Sequence, residues 1–335
     1  MSAKDRLQII LITYNRAKFV KQTFERFFYE GSPVYDYDFL VLDNNSSDNT
    51  AEVVAEFART HPNIKYSRNR YNLGISGNIA KAMEIAEKDY VWIIGDDDKF
   101  DFSNWGEVEQ AISNNEEIII VSRYGIPDGC ENNIPMQVGM LTFITGGIYK
   151  TSLYNDTTMR NTFDNIFTLF PHLVPVMQAI NDKKNIYVVK KAISSNGMME
   201  EEKDCSYIRG HQNENLCLRT RSMNWWTGYA NVCQMIKDKD LAYKVFLNGV
   251  NGICGSEESL VRACKKLFSK GLLMQLVDVY MALPEKSVAS QGIRSIILKD
   301  YFHKYLFSKT SDEERRIYKF FNGLIKLTFK KRRKR

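Results

Sequence analysis

Residues 7–12, LQIILI, form a nearly unbroken apolar run that ends at Thr13-Tyr14-Asn15. A run this short and this uniformly apolar suits a strand buried on both faces of a parallel sheet. From about 16 to 30, Phe19, Val20, Phe24, Phe27 and Phe28 recur at helical spacing, and Gly31, Ser32 and Pro33 stop the pattern. A second strand over 38–42 ends at Asp43. The scheme repeats with a helix over about 48–59, capped by Asp48 or Asn49, and a short strand at 64–67. A helix over about 75–88 then leads to a strand at 90–94. Strands alternating with helices of this length predict an α/β sheet joined by right-handed crossovers.

After about 105 the alternation loosens. The pattern predicts strands at 117–122, 143–149 and 186–189, a Gly/Pro/Asn-rich loop at 125–139, and a helix over about 171–181. A polar stretch from about 194 to 215 reads as a loop. From about 218 onward the apolar residues fall mostly at helical spacing, so the expected organisation is an α/β domain over 1–215 and a C-terminal helical appendage over 216–335.

In open α/β sheets ligands bind beyond the carboxyl ends of the strands. Here those ends read Thr13-Tyr14-Asn15, Asp43-Asn44-Asn45-Ser46-Ser47-Asp48 and Gly95-Asp96-Asp97-Asp98, so polar and acidic groups converge on one edge. Three consecutive aspartates after a buried strand repel one another and call for a cation. Hard divalent ions such as Mn2+ or Mg2+ take one or two such carboxylates and complete their shell with phosphate and water.

Composition narrows the picture further. The 335 residues are 44% hydrophobic and 26% charged, a folded-protein profile. The net charge of +6 resides entirely in Lys330-Lys331-Arg332-Arg333-Lys334-Arg335, because without those six cations 40 basic residues face 40 acidic ones. Net charge therefore gives no support to a nucleic-acid partner. No apolar stretch approaches the roughly 20 residues of a membrane-spanning helix, and the opening residues turn polar too soon for a signal peptide, so a cytoplasmic protein is expected. Cys130, Cys205, Cys217, Cys233, Cys254 and Cys264 show no CxxC spacing and read as reduced thiols.

Ile12-Thr13-Tyr14-Asn15-Arg16, Asp43-Asn44-Asn45-Ser46-Ser47-Asp48-Asn49-Thr50, Asn72-Leu73-Gly74 and Gly95-Asp96-Asp97-Asp98, taken in order, resemble a GT-A-fold glycosyltransferase of family 2 over about residues 6–190. The resemblance implies that Thr13, Tyr14 and Asn15 border the nucleotide base, with Asn72 also on the donor side. Asp43 would accept a hydrogen bond from the base, which a carboxylate at a strand end can do. Asp96 and Asp97 would lie near ribose and sugar. The metal would fall to Asp98 or Asp96. The chain departs from the common pattern at Asn44, where a second aspartate is frequent, and at Gly95, where many members carry the first acid of the motif. A sugar nucleotidyltransferase is the alternative enzyme, although its Gly-rich basic loop is missing after the first strand. A scaffold or nucleic-acid-associated protein using the basic tail is the alternative outside enzymes.

The reaction implied is transfer, with inversion, of a sugar from a UDP-, GDP-, CDP- or dTDP-sugar to a surface glycan or lipid-linked acceptor. Such enzymes place an acidic base at the start of a helix beyond the acidic motif. In Phe170-Pro171-His172-Leu173 that place holds His172, whose imidazole can accept a proton, and Asp164 is the alternative. Arg209 and His211 are candidates for the diphosphate. The apolar residues of 317–329 followed by the six cations suit peripheral attachment to an anionic membrane surface.

Overall fold

The computed structural model describes residues 1–122, 129, 131–195, 228–254, 256–258, 260–262, 280–281, 283, 287–301, 307–311, 315–320 and 325–330. The chain divides into two compact units, Met1–Gly249 and Val250–Arg335.

The first unit is built on strands β1 (Leu7–Thr13), β2 (Asp38–Asp43), β3 (Ile64–Arg68) and β4 (Tyr90–Gly95), all parallel, with β1 between β2 and β4. All seven residues of β1 are buried, as its continuous apolar run requires of a central strand. In β3, at the sheet edge, only Ile64 is buried, which is why that strand reads as short and polar. The helices α2 (Ala17–Phe27), α3 (Thr50–Ala58) and α4 (Gly74–Glu84) connect them, following the four-residue α1 (Ala3–Arg6). α2 buries Phe19, Val20, Thr23, Phe24 and Phe27, the stripe its spacing predicts. Phe27 sits edge-on to Phe39, Phe100 and Phe102, with ring centroids 5.3, 4.8 and 5.0 Å away, at the centre of an aromatic core that includes Trp92 and Trp105. Asp48, not Asn49, supplies the cap: its carboxylate accepts from the first N–H of both α2 (Ala17, 3.0 Å) and α3 (Thr50, 3.1 Å).

Beyond β4 come the two-residue β5 (Lys99–Phe100), α5 (Trp105–Ser113), β6 (Ile118–Ile120), α6 (Ile134–Leu141), β7 (Gly147–Lys150), α7 (Asp156–Asp164), α8 (Val174–Asn181), β8 (Ile186–Val188) and β9 (Ser194–Ser195). The main sheet has the order β3-β2-β1-β4-β7-β6-β8, with β7 antiparallel to both neighbours. β5 pairs with β9.

Three expectations are corrected. The loop predicted over 125–139 contains the start of α6, whose N-terminus is set by Asn133 accepting from Met136 N–H and by Pro135 in the first turn, helix-starting residues concealed by a loop-like composition. The strand predicted over 143–149 begins only at Gly147, because a 3₁₀ turn at Ile144–Gly146 precedes it. The helix predicted over 171–181 opens with a 3₁₀ turn at Pro171–Leu173 before α8.

Helical residues 228–233 pack within the first unit, with the Tyr229 ring 5.7 Å from Phe170 and Asn181 Nδ2 donating to Met235 O at 2.9 Å. Gly228 lies so close to Thr168 that a Cβ there would stand 1.7 Å from its carbonyl oxygen. These contacts carry the first unit to Gly249, past the 215/216 division expected from the sequence.

α9 (Lys239–Cys254) lies mostly in the first unit; the second holds α10 (Val288–Tyr301), in line with a helical appendage. The end of the chain is different: β10 (Phe307–Ser311), β11 (Arg315–Phe320) and β12 (Ile325–Lys330) form an antiparallel sheet where helix was expected. Ile325-Lys326-Leu327-Thr328-Phe329-Lys330 alternates apolar and polar with period two, the strand period. All six of its residues are exposed. Among the described residues no helix is long and apolar enough to cross a membrane.

Candidate active site

Parallel register aligns the strand ends. Thr13 stands opposite Asp43, and Ile12 opposite Gly95, so the three loops predicted to converge do so. Asp96 is buried; its Oδ2 accepts from Thr13 Oγ1 at 2.6 Å, and its carbonyl accepts from Thr23 Oγ1 at 2.9 Å. Arg16 bridges two carboxylates, with Nε 3.1 Å from Asp96 Oδ1 in an ion pair and Nη2 donating to Asp97 Oδ2 at 2.9 Å. Its guanidinium lies 4.2 Å from the centre of the Phe19 ring. The buried Asp98 accepts through Oδ2 from Thr145 Oγ1, while Arg26 Nη1 donates to the Asp98 carbonyl at 2.8 Å.

Burial pushes the carboxyls of Asp96 and Asp98 up to about 7. Arg16 opposes the rise at Asp96, and the Thr145 hydrogen bond opposes it at Asp98; the neighbouring aspartates add to both. Two carboxyls that titrate near neutral pH lie beside a third, with the Arg16 guanidinium bridging Asp96 and Asp97 and the Arg26 guanidinium on the Asp98 carbonyl.

Asp43 is equally buried and more fully satisfied. Oδ1 accepts from Ser46 N–H (2.8 Å) and Ser46 Oγ (2.5 Å), and Oδ2 accepts from Tyr66 Oη (2.5 Å), with Arg68 Nε 3.9 Å away. A carboxylate offers about four lone-pair positions, so Oδ2 retains room for one more donor. Burial, and then the bond to Asp43, push the Tyr66 hydroxyl above the ordinary phenol range.

The two departures from the family pattern have local reasons. Asn44 donates to Asn72 Oδ1 (2.8 Å) and Gly74 O (3.2 Å), and accepts from Leu73 N–H (2.9 Å) and Asn69 Nδ2 (3.1 Å). An aspartate could accept but not donate, so the amide is what knits β2 to the loop before α4. At Gly95 a Cβ would stand 3.0 Å from Asp98 Oδ2, crowding the carboxylate. Asn15 holds φ 54°, a left-handed conformation that asparagine tolerates; its N–H donates to Ser46 Oγ at 2.8 Å, and its Oδ1 accepts from Ser47 N–H at 2.6 Å. Tyr14 is half-buried beside it, and Asn72 is exposed.

The remaining candidates lie apart from this network. His172 is 3% exposed, with Nε2 3.0 Å from Leu141 O and a buried Nδ1 that has no hydrogen-bond partner. Burial lowers its pKa to about 4. Just before it, Leu169 holds φ 67°, a strained position for leucine. Asp164 is exposed at the end of α7. Arg209 and His211 lie outside the described residues. Thr145, Tyr66 and Arg68 stand outside the motifs of the sequence, and Arg16 has no role there beyond its motif. The strand ends carried a signal for Tyr66 and Arg68, but nothing near Thr145 marks it. Among the described residues no three His, Cys, Asp or Glu side chains gather into a ready-made metal cage.

The sheet, its crossover helices and the acidic loop beyond β4 are those of the GT-A class of sugar-transferring enzymes. Residues 8–183 match the model of glycosyl transferase family 2, and the chain belongs to that family. That membership speaks against the nucleotidyltransferase and scaffold readings. Relatives include abequosyltransferase RfbV of Salmonella typhimurium, 27% identical over 113 residues that make up 33% of this chain and 34% of that protein. Another is the GalNAc(5)-diNAcBac-PP-undecaprenol beta-1,3-glucosyltransferase of Campylobacter jejuni, 30% identical over 95 residues, 28% of this chain and 30% of that one. The chain thus spans about a third of the length of these relatives. Among solved structures, S. aureus TarS 1-349 in complex with UDP superposes with a TM-score of 0.59 at 15% identity, covering 96% of this chain and 100% of the other. The mannosyltransferase PcManGT of Pyrobaculum calidifontis, in complex with GDP-Man and Mn2+, gives 0.51 at 13% identity, covering 89% and 81%. At these identities the likeness is one of fold.

Proposed function

We propose that the chain transfers a sugar, with inversion, from a nucleoside-diphosphate donor to a surface glycan or lipid-linked acceptor, using Mn2+ or Mg2+ held by the acidic loop. The observation that carries this reading is the set of three adjacent carboxyl groups at the end of β4, Asp96 and Asp98 buried and Asp97 partly exposed. The donor set is all oxygen, which fits a hard divalent ion, and one or two protein carboxylates suffice when diphosphate and water complete the shell. Asp98, with Asp96 as second candidate, would hold the ion. Once bound, it supplies positive charge against the departing nucleoside diphosphate.

The chain's own residues do the rest. Asp43 Oδ2 keeps one acceptor position for a base N–H, Thr13, Tyr14 and Asn15 border that pocket, and Asn72 lies on the donor side. Asp96 and Asp97 hold ribose and sugar by accepting hydrogen bonds from their hydroxyls. His172 is the candidate base: with Nε2 turned to the Leu141 carbonyl, Nδ1 carries the lone pair, and it would take the proton of the acceptor hydroxyl once an acceptor reaches that buried atom. Asp164 is the competing base.

The names of two relatives, one of them acting on an undecaprenol-linked glycan, support an acceptor from bacterial polysaccharide synthesis. The C-terminal sheet supports attachment to the cytoplasmic face of a membrane. Ile325, Leu327 and Phe329 share one face at 46–54% exposure, and residues 315–335 contain no acid. Self-association through that segment would bring like charges together, whereas an anionic bilayer accepts both its apolar and its cationic groups.

The deciding measurement is calorimetric titration of UDP, GDP, CDP and dTDP with and without Mn2+. One nucleotide should bind in a metal-dependent way, and Asp98→Ala should abolish the metal dependence. Failure of all four nucleotides, together with an inert Asp98→Ala, rejects the reading.

A further inference from the structure

We propose that Thr145 is a positioning residue that fixes the Asp98 carboxylate for cation binding; the proposal rests on the reading of the acidic loop given above. Thr145 lies in the 3₁₀ turn between α6 and β7, remote in sequence from the acidic loop, and is fully buried. Its hydroxyl accepts from Gly95 N–H at 2.9 Å and donates to Asp98 Oδ2. Because a hydroxyl has one proton, the bond accepted from Gly95 leaves that proton committed to the carboxylate. The Thr145 carbonyl is held from the other side, accepting from Trp92 Nε1 at 2.9 Å and from Ser194 Oγ at 3.0 Å. One residue thus ties the end of β4, the acidic loop and β9 together, and its only mobile polar group is aimed at Asp98. Cation ligands are oriented by such outer partners, and losing one weakens metal binding.

A role confined to stability would leave metal affinity unchanged once the protein has folded. The test is therefore Mn2+ binding by the full chain with UDP, GDP, CDP or dTDP, followed by electron paramagnetic resonance, for wild type, Thr145→Val and Thr145→Ser. Melting curves without metal run in parallel. Thr145→Val should bind Mn2+ about tenfold more weakly, whereas Thr145→Ser, which keeps the hydroxyl, should stay within about threefold of wild type. Steady-state assays should show the same split, with a raised half-saturating Mn2+ concentration and a smaller change in kcat at saturation. A folded Thr145→Val with wild-type Mn2+ affinity overturns the proposal and leaves the cation reading intact. Absence of Mn2+ binding by wild type with every nucleotide overturns both. Should Thr145→Val not fold, Ser194→Ala carries the test, since freeing the Thr145 carbonyl should weaken Mn2+ binding severalfold; unchanged affinity there also overturns the proposal.

Discussion

The hydroxyl of Thr13 donates to Asp96 Oδ2 at 2.6 Å, tying the end of β1 to the loop beyond β4 across 83 residues of sequence. The bond exists because β1 and β4 are parallel neighbours in a register that sets Ile12 opposite Gly95. Its loss leaves a buried carboxylate with one fewer donor, at a cost of about 1–3 kcal/mol. Thr13→Val should therefore lower stability by about that amount in urea unfolding. Thr13→Ser, which preserves the donor, should not.

The carboxyls of Asp96 and Asp98 titrate near 7 in the folded protein and near the ordinary carboxyl range once unfolded. Between those values the native state binds more protons than the unfolded one, so stability falls as pH rises toward 7. Thermal melts of the metal-free protein should show a decline from pH 5 to 7 attributable to this pair. Asp96→Asn combined with Asp98→Asn should flatten it. A decline of undiminished size in the double variant would assign the effect to other groups.

His172, with its pKa lowered to about 4, is neutral throughout the physiological range and can accept a proton there. Under saturating donor and metal, His172→Asn should reduce kcat about a hundredfold or more with donor binding retained. Asp164→Asn should stay near wild type. The reverse pattern moves the base to Asp164.

Membrane attachment is measured by cosedimentation of the full chain with vesicles of phosphatidylcholine, with and without phosphatidylglycerol. Binding should require the anionic lipid and weaken on deletion of residues 330–335. Leu327→Glu, on the exposed apolar face of β12, should weaken it too. Equal partitioning of all forms rejects the attachment.

Phe27 is fully buried among aromatic rings. Phe27→Ala should cost about 3–5 kcal/mol in urea unfolding, the usual range for emptying such a site.

Much of this architecture was legible along the chain. The apolar run of 7–12 suited a central strand and is one, and the stripe on 16–30 faces the core as its spacing predicts. The acidic loop stood out because three adjacent carboxylates repel one another and gather where the strand ends of a parallel sheet converge. The C-terminal strands were legible too, in the alternation over 325–330 and in Asn322-Gly323 between two such runs, a common hairpin signal that the scattered apolar residues upstream obscured.

What the sequence determines by itself is local: period, face, caps, and which loops gather at the edge of a parallel sheet. These follow from the 3.6- and 2-residue repeats and from parallel connection. Which side chain meets which is decided by tertiary structure. The meeting of Thr145 with Asp98, the Arg16 bridge between Asp96 and Asp97, and the turn of His172 to the Leu141 carbonyl depend on register and packing between distant segments. A hydroxyl or an imidazole reads the same in sequence whether it faces water or a buried carboxylate. Only the fold settles its neighbours, and with them its charge.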